Sequence, residues 1–393
     1  MFLRKKTLWK LHSVLGLLTG VPLIIIAVTG SVLVFKQEID DLLVPDKVLV
    51  QSSETDRLSF DRLGDIVRQR FPEQLVVGWL IHETTEHADI AYVVEKGTSV
   101  WRKIYVDAYS GVTLTPPVSF HSGFTDWLLE LHYTFLGGHL GMLVAGILAL
   151  GLCALGLTGI LIYRRFWIRF FTLKWDKGLR VLSGDLHRKV GIVSAPLFFI
   201  LGLTGAYWNI THAVRDLYLH GLGDEHEVFE REWLGPELSL DRLVADSAAA
   251  MPGYKPYYIS FPQAADGPVV FYGQLDGRGR LRSQYGISMS FDRLSGESLG
   301  VSDIREANVA VQAVDAFRPL HFGNFGGLPV KLLYCVLGAM PGLLALSGFV
   351  VYAKRPKRKR VRRGGADEEA EPSAGELENA TAVAEAGGDR LAG

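Results

Sequence analysis

Cysteine is almost missing from this chain: Cys153 and Cys335 are the two in 393 residues, too few for a disulfide scaffold. Charge is also scarce, at 21% of residues against about 25% in soluble domains. Its signed sum is close to nil, with 41 Lys+Arg against 42 Asp+Glu, which says nothing about partners until it is broken down by segment. Several catalytic signatures are absent as well. There is no P-loop, no GxGxxG after a strand and no HExxH, so nucleotide and zinc-protease chemistry lack their usual marks. CxxCH is absent too. Apolar residues are plentiful, at 48%, with 43 glycines, which excludes a disordered chain.

The apolar residues are concentrated in four nearly charge-free stretches, Leu11–Phe35, His139–Tyr163, Val190–Thr211 and Leu328–Tyr352. Each is long enough to cross a bilayer core of about 30 Å as a helix. The first follows Arg4, Lys5 and Lys6 as a signal peptide would, but its run is too long for an h-region and lacks a small-residue cleavage site, so a retained helix is expected. Basic residues cluster in the N-terminus, in 164–189 (eight basic, two acidic) and in 354–363 (eight basic, none acidic). Segments 36–131 and 212–327 are acidic, with 9 basic against 16 acidic and 10 against 16. Cytoplasmic flanks carry the Lys/Arg excess, so the expectation is a multi-pass membrane protein with both termini cytoplasmic. The expected organisation is cytoplasmic 1–10, helix 11–35, external 36–131, helix 132–163 with an outer extension, cytoplasmic 164–186, helix 187–211, external 212–327 and helix 328–352. Segment 353–393 turns from basic to acidic without periodicity and reads as a disordered cytoplasmic tail.

The chain also repeats itself. Leu11-His12, Gly16 and Thr29-Gly30 match Leu186-His187, Gly191 and Thr204-Gly205 at an offset of 175. Leu131-His132, Gly137-Gly138, Gly159 and Tyr163 match Leu320-His321, Gly326-Gly327, Gly348 and Tyr352 at 189. In the external segments LSFDRL (58–63) matches LSLDRL (238–243), and VDAYSGVTL (106–114) matches FDRLSGESL (291–299). Each copy begins with a short helical pattern and ends in β-rich sequence with a DxxSG turn. The fold class expected is a membrane protein: an all-α four-helix transmembrane bundle with two periplasmic α+β domains, made by internal duplication.

In its LHxxxG…TG and LHxxxxGG…G helices and its two DxxSG hairpins, over nearly all of residues 1–355, the chain resembles the bacterial inner-membrane family with PepSY domains between transmembrane helices. The resemblance implies a link to iron acquisition and, in its better understood members, haem-containing ferric-siderophore reductases.

Four of the eleven histidines, His12, His187, His132 and His321, occupy repeat-equivalent positions at helix entrances. Ionisable residues beside membrane helices usually mark a function. His12 and His187 start helices leaving one face, and His132 and His321 precede helices entering from the other, giving two same-depth pairs. Paired neutral imidazoles from two helices suit a six-coordinate haem iron, and without CxxCH any haem is b-type. Gly16, Gly20, Gly191 and the glycine pairs allow close approach of a ring or of a neighbouring helix. Arg188, Lys189 and Arg318 are candidates for pairing with haem propionates. His139 follows His132 by seven residues, about two turns if the helix is continuous, and is an alternative outer ligand. His212 is a weaker candidate. His82, His87, His121, His220 and His226 are expected at the solvated surface, Cys153 and Cys335 in packing, and Trp9, Tyr133, Trp167 and Trp208 as interface anchors.

These readings combine into an expected di-haem b electron-transfer protein. With no flavin or nucleotide motif, its donor is another protein or a quinol. Electrons pass from His12/His187 to His132/His321 and, by the resemblance, to a periplasmic ferric siderophore. No nucleic-acid partner is expected, the lipid bilayer surrounds the bundle, and a homodimer is left open. The alternatives are a non-enzymatic membrane-anchored binding or regulatory protein, and a transporter accessory for siderophore, haem or peptide.

Overall fold

The computed structural model describes residues 4–51, 56–165, 168, 170–172, 174, 177–220, 228–277 and 279–355, and the residues through Ala353 cluster as one compact unit. The segment expected as a disordered tail lies outside the described residues from 356 onward, as do Trp167, His226 and the side chain of His220.

In chain order the first half runs α1 (Lys5–Leu33), α2 (Lys36–Leu43), α3 (Pro45–Val48), α4 (Phe60–Arg70), β1 (Gln74–Leu80), β2 (Asp89–Glu95), β3 (Trp101–Val106), β4 (Val118–Ser119), α5 (Phe124–Thr134) and α6 (Gly138–Ile162). The second half runs α7 (Leu179–His220), α8 (Leu240–Ala250), β5 (Tyr254–Ser260), β6 (Val269–Leu275), β7 (Ile287–Phe291), β8 (Ser298–Asp303), α9 (Val309–Asp315), α10 (Phe317–Phe322), α11 (Gly327–Gly338) and α12 (Met340–Ala353).

Among the described residues four helical spans, α1, α6, α7 and α11–α12, are long and apolar enough to cross a bilayer. The chain is a multi-pass membrane protein. α1 and α7 each pack against both α6 and α12, so the bundle is a ring of four in which α1 faces α7 across the centre. Two boundaries move relative to expectation. α7 is 42 residues long and takes in the end of the basic segment 164–186 and the start of 212–327. The second span does not begin at His132: α5 ends at Thr134, Phe135 and Leu136 adopt φ of 53° and 61°, and α6 starts at Gly138.

Outside the bundle the two external segments share one sheet. Among the described residues it has eight strands in the order β4-β3-β2-β1-β5-β6-β7-β8. Every neighbouring pair is antiparallel. β1 and β5 pair through Gly78↔Ser260, Trp79↔Ile259 and Leu80↔Tyr258. That closure removes two exposed strand edges, which otherwise invite uncontrolled pairing. The helices α4 and α8 cover one face, and Leu63, Val67 and Trp79 share a single core with Leu243, Ile259 and Phe271. Their N-termini are capped crosswise. Asp241 accepts from the amides of Phe60 (2.8 Å) and Asp61 (3.0 Å), while Asp61 accepts from the amide of Leu240 (2.7 Å) and the hydroxyl of Ser239 (2.5 Å). Carboxylates at helix N-termini satisfy amides that have no intrahelical acceptor. The two expected α+β units are thus fused, because each supplies an edge strand and a cap that the other lacks. Both DxxSG turns form as the sequence suggests, with Gly111 and Gly296 at φ of 76° and 73°, a backbone only glycine adopts freely.

Candidate functional site

Two short helices on the sheet side of the bundle, α5 and α10, carry His132 and His321, and each is tethered to the sheet by a carboxylate six residues before its histidine. Asp126 accepts from Lys103 of β3 (2.6 Å) and from Lys36 (3.0 Å), and Asp315 accepts from the amide of Ser283 (3.1 Å) and lies 3.9 Å from Arg282. Burial works against an ionised Asp126, but Lys103 and Lys36 outweigh it and hold the carboxyl below its usual range. Asp126 and Asp315 are related by the same 189-residue offset as the histidines, a match that scanning for histidine and glycine alone passes over.

The structure brings the four repeat-equivalent histidines together in two pairs. The ring centroids of His132 and His321 are 6.5 Å apart, and those of His12 and His187, farther from the sheet, are 6.1 Å apart. In both pairs the rings come from helices on opposite sides of the bundle and meet at its centre. Each Nδ1 faces a hydroxyl on a neighbouring span: His12 to Thr158 (2.9 Å), His132 to Thr29 (2.9 Å), His187 to Ser347 (2.9 Å) and His321 to Thr204 (2.7 Å). The next residue along the chain is glycine in every case. A Cβ built on Gly159, Gly30, Gly348 or Gly205 would lie 3.6, 2.7, 3.4 or 3.1 Å from the Cε1 of the same histidine. Each imidazole therefore packs edge-on against a Thr-Gly or Ser-Gly step. Sequence reasoning missed this pattern, although Thr29-Gly30 and Thr204-Gly205 stood out as repeats. The signal that finds it is that a hydroxyl and a glycine accompany every histidine of the set.

A cavity of about 700 Å³ opens beside His132 and His321, lined mainly by apolar side chains. That is within the ordinary size of ligand sites, about 300–1,000 Å³. Its polar side, toward the sheet, is formed by Tyr285, Arg318, Asp315, Ser283 and His212. The Arg318 guanidinium lies 4.7 Å over the Tyr285 ring and 5.1 Å over Phe322, and its buried Nε has no hydrogen-bond partner among the described residues. From Tyr285 a band of rings runs across the sheet through Tyr272 (6.0 Å), Tyr258 (6.2 Å), Tyr92 (5.9 Å) and Phe120 (5.7 Å). Burial pushes the Tyr258 and Tyr285 phenols up to about 12, so both stay protonated donors at any physiological pH.

Several expected site residues lie elsewhere. His139 is set apart from His132 by the break after Thr134 and sits 3.0 Å from Asp216 instead of lining the cavity. The two-turn spacing that made it an alternative ligand requires a continuous helix, which the backbone at Phe135 and Leu136 interrupts. Arg188 pairs with Asp185, and Lys189 Nζ donates to the Thr172 carbonyl, so both cations already have partners. Gly20 packs on Phe349 and Gly191 near Leu344, which is helix packing. Trp208, expected as an interface anchor, lines the cavity with its ring 5.7 Å from His321. His82 and His87 stack 4.3 Å apart, and His87 reaches Asp41 of α2 at 2.9 Å.

The residues present fit a metal held between paired imidazoles. A metal about 2 Å from each coordinating nitrogen sets two ring centroids roughly 6 Å apart, which matches both pairs. Next to one pair lies an apolar space of ligand size with an unpaired guanidinium nitrogen at its edge.

A model of the PepSY-associated TM region matches residues 9–355. Over 252 residues the chain is 27% identical to the uncharacterized protein PA4219 of Pseudomonas aeruginosa, a match covering 58% of this chain and 63% of that protein. The chain thus spans less than two thirds of that relative. With the family model covering almost everything between the first membrane helix and the end of the last, this chain belongs to the family of PepSY-associated transmembrane regions.

Proposed function

We propose that this protein is an inner-membrane electron carrier with two b-type haems, one per histidine pair, delivering electrons to a periplasmic ferric siderophore and releasing Fe(II). The carrying observation is the double imidazole pair, with centroids 6.1 and 6.5 Å apart at the centre of an apolar bundle. An isolated ionisable side chain is costly in such surroundings, and an anchor has no use for four. Bound haem would supply one-electron redox chemistry, and two are called for because one ring does not span a core of about 30 Å.

In this reading His12 and His187 hold the group nearer the basic loops, and His132 and His321 the group nearer the sheet. Arg318 offers an unpaired cation to a carboxylate entering the cavity. Apolar side chains such as Leu23, Ala27 and Leu152 keep water from the imidazoles. The Lys/Arg excess of residues 4–10, 164–189 and 354–363 supports termini in the cytoplasm and the sheet in the periplasm. The donor is then a cytoplasmic-side protein or a quinol. The acceptor docks by the sheet, where the tyrosine band ends at the cavity. One electron per ferric ion converts Fe(III) to Fe(II), which hard oxygen ligands hold less tightly. The repeated element order, the crosswise caps and the matched histidine, hydroxyl and carboxylate positions support an internal duplication as the origin of the two sites.

Purified protein should show a bis-imidazole haem spectrum with about two haems per chain, and His12→Ala and His321→Ala should each remove about one. Supplied with reductant, the loaded protein should reduce a ferric siderophore, followed by its absorbance. A colourless protein that binds no haem would favour the membrane-anchored binding or regulatory role. A loaded protein that reduces no ferric complex would leave the electron carrier without this acceptor.

A further inference from the structure

The four hydroxyls beside the histidines share one hydrogen-bonding arrangement. Thr29, Thr158 and Thr204 each donate their one proton to the carbonyl four residues back, to Ile25 (2.7 Å), Ala154 (2.7 Å) and Ile200 (2.6 Å), and Ser347 donates to Leu344 (3.0 Å). A hydroxyl has one proton and two lone pairs. The carbonyl takes that proton, and with Nε2 turned to the iron in the haem reading the ring proton is on Nδ1, so the oxygen meets it as an acceptor. The neutral ring then carries its lone pair on Nε2. Back-bonding alone does not account for the arrangement, since Thr19 and Thr211 back-bond in the same way (2.8 and 2.6 Å) with no histidine recorded at their hydroxyls. Nor does helix stability, because such bonds slightly destabilise and bend a helix.

We infer that Thr29, Thr158, Thr204 and Ser347 are positioning residues that fix all four imidazoles as Nε2 ligands and, as neutral acceptors for Nδ1–H, set the reduction potential of each site. This rests on the haem reading and deepens it. Hydrogen-bond acceptors behind a ligating histidine fix its tautomer and orientation and raise its basicity. A more basic ligand favours ferric over ferrous iron. A carboxylate in that place would push the ring toward imidazolate and the potential down, whereas a hydroxyl whose own proton is committed gives a weaker pull. At the His132/His321 pair the adjoining glycines complete the device, because a Cβ on Gly30 or Gly205 would press on the Cε1 edge of the ring at 2.7 or 3.1 Å.

Redox titration of the full-length protein, followed in its visible spectrum, tests this with Thr204→Val and Thr204→Ser, and with Thr29→Val as a second variant on the same pair. Valine keeps the shape and removes the acceptor. Thr204→Val should favour ferrous iron by about tenfold at the His132/His321 haem, an upward shift of about 59 mV for a one-electron couple. The His12/His187 haem should keep its midpoint, and Thr204→Ser should restore the first. Loss of one haem in the valine variant with retention in the serine variant also supports the inference. Valine variants with two haems and unchanged midpoints would overturn it, as would equal loss in the valine and serine variants, which would reduce the site to packing. Wild-type protein that takes up no haem would fail earlier and remove the electron-carrier reading itself, so the two failures are distinguishable.

Discussion

Gly30 and Gly205 occupy helix-interior positions where alanine is normally the better residue by up to about 1 kcal/mol. Here a Cβ would lie 2.7 Å from His132 Cε1 or 3.1 Å from His321 Cε1. The same substitution should therefore leave the helices intact and disturb the site. Gly30→Ala is expected to retain the helical circular dichroism of the wild type while losing or shifting the absorbance of one haem. Identical haem spectra in wild type and variant would show that the close contact has no role. Residue type carried part of this meaning in the sequence, since histidine, threonine and glycine recur at fixed offsets. The contact between a histidine and a Thr-Gly step more than a hundred residues away did not show, because nothing local to either residue encodes which spans become neighbours.

At the scale of the elements, α4 and α8 depend on each other's aspartates. Asp61→Ala removes the acceptor of the Leu240 amide and Asp241→Ala that of the Phe60 amide, and each should destabilise the external sheet by about 1–2 kcal/mol, read as a lowered midpoint in thermal unfolding. An unchanged midpoint for both would mean that water replaces the caps at no cost. The contact between α2 and the loop after β1 should respond to pH. Burial and the neighbouring His87 hold His82 below its usual value of 6.5, against the opposing pull of Asp89, Glu83 and Asp41. The folded state thus favours the neutral ring, so this contribution to stability is present above about pH 6.5 and is lost progressively as pH falls below that value through the lower one of the folded state. Amide protection factors in residues 81–88, taken against the intrinsic exchange rate at each pH, should fall between pH 7 and pH 5, and a His82→Gln variant should show less of that fall. The elements were largely legible: the apolar runs and the DxxSG turns have local signals. The breaks before α6 and α11 were harder, because a helix is ended there by left-handed backbone at Phe135 and Leu136 in one copy, residues that carry no turn signature, and at Gly323 in the other.

For the molecule as a whole, the shared core makes the two halves one cooperative unit outside the membrane. Leu243 is fully buried among residues of both halves. Leu243→Ala should cost about 2–5 kcal/mol and reduce amide protection in β2 as well as β6, measured by hydrogen exchange. Loss confined to the second half would show that the β1–β5 seam does not couple them. The arrangement also bears on the site, since the carboxylate tethers from Asp126 and Asp315 carry the position of the sheet to α5 and α10, and so to His132 and His321.

The sequence by itself determined that four apolar spans alternate with two acidic α+β segments, that the halves repeat, and that four histidines fall at equivalent span entrances. Hydropathy, charge and spacing act along the chain, and those features need nothing more. Only the tertiary structure decided that the two segments fuse into one sheet, that the spans form a ring with α1 opposite α7, and that each imidazole rests on a hydroxyl and a glycine of a neighbouring span. It also set His139 apart from His132, by breaking the helix that would have placed them on one face. Those outcomes depend on which surfaces meet, and side-chain packing and hydrogen-bond satisfaction between segments distant in the chain settle that.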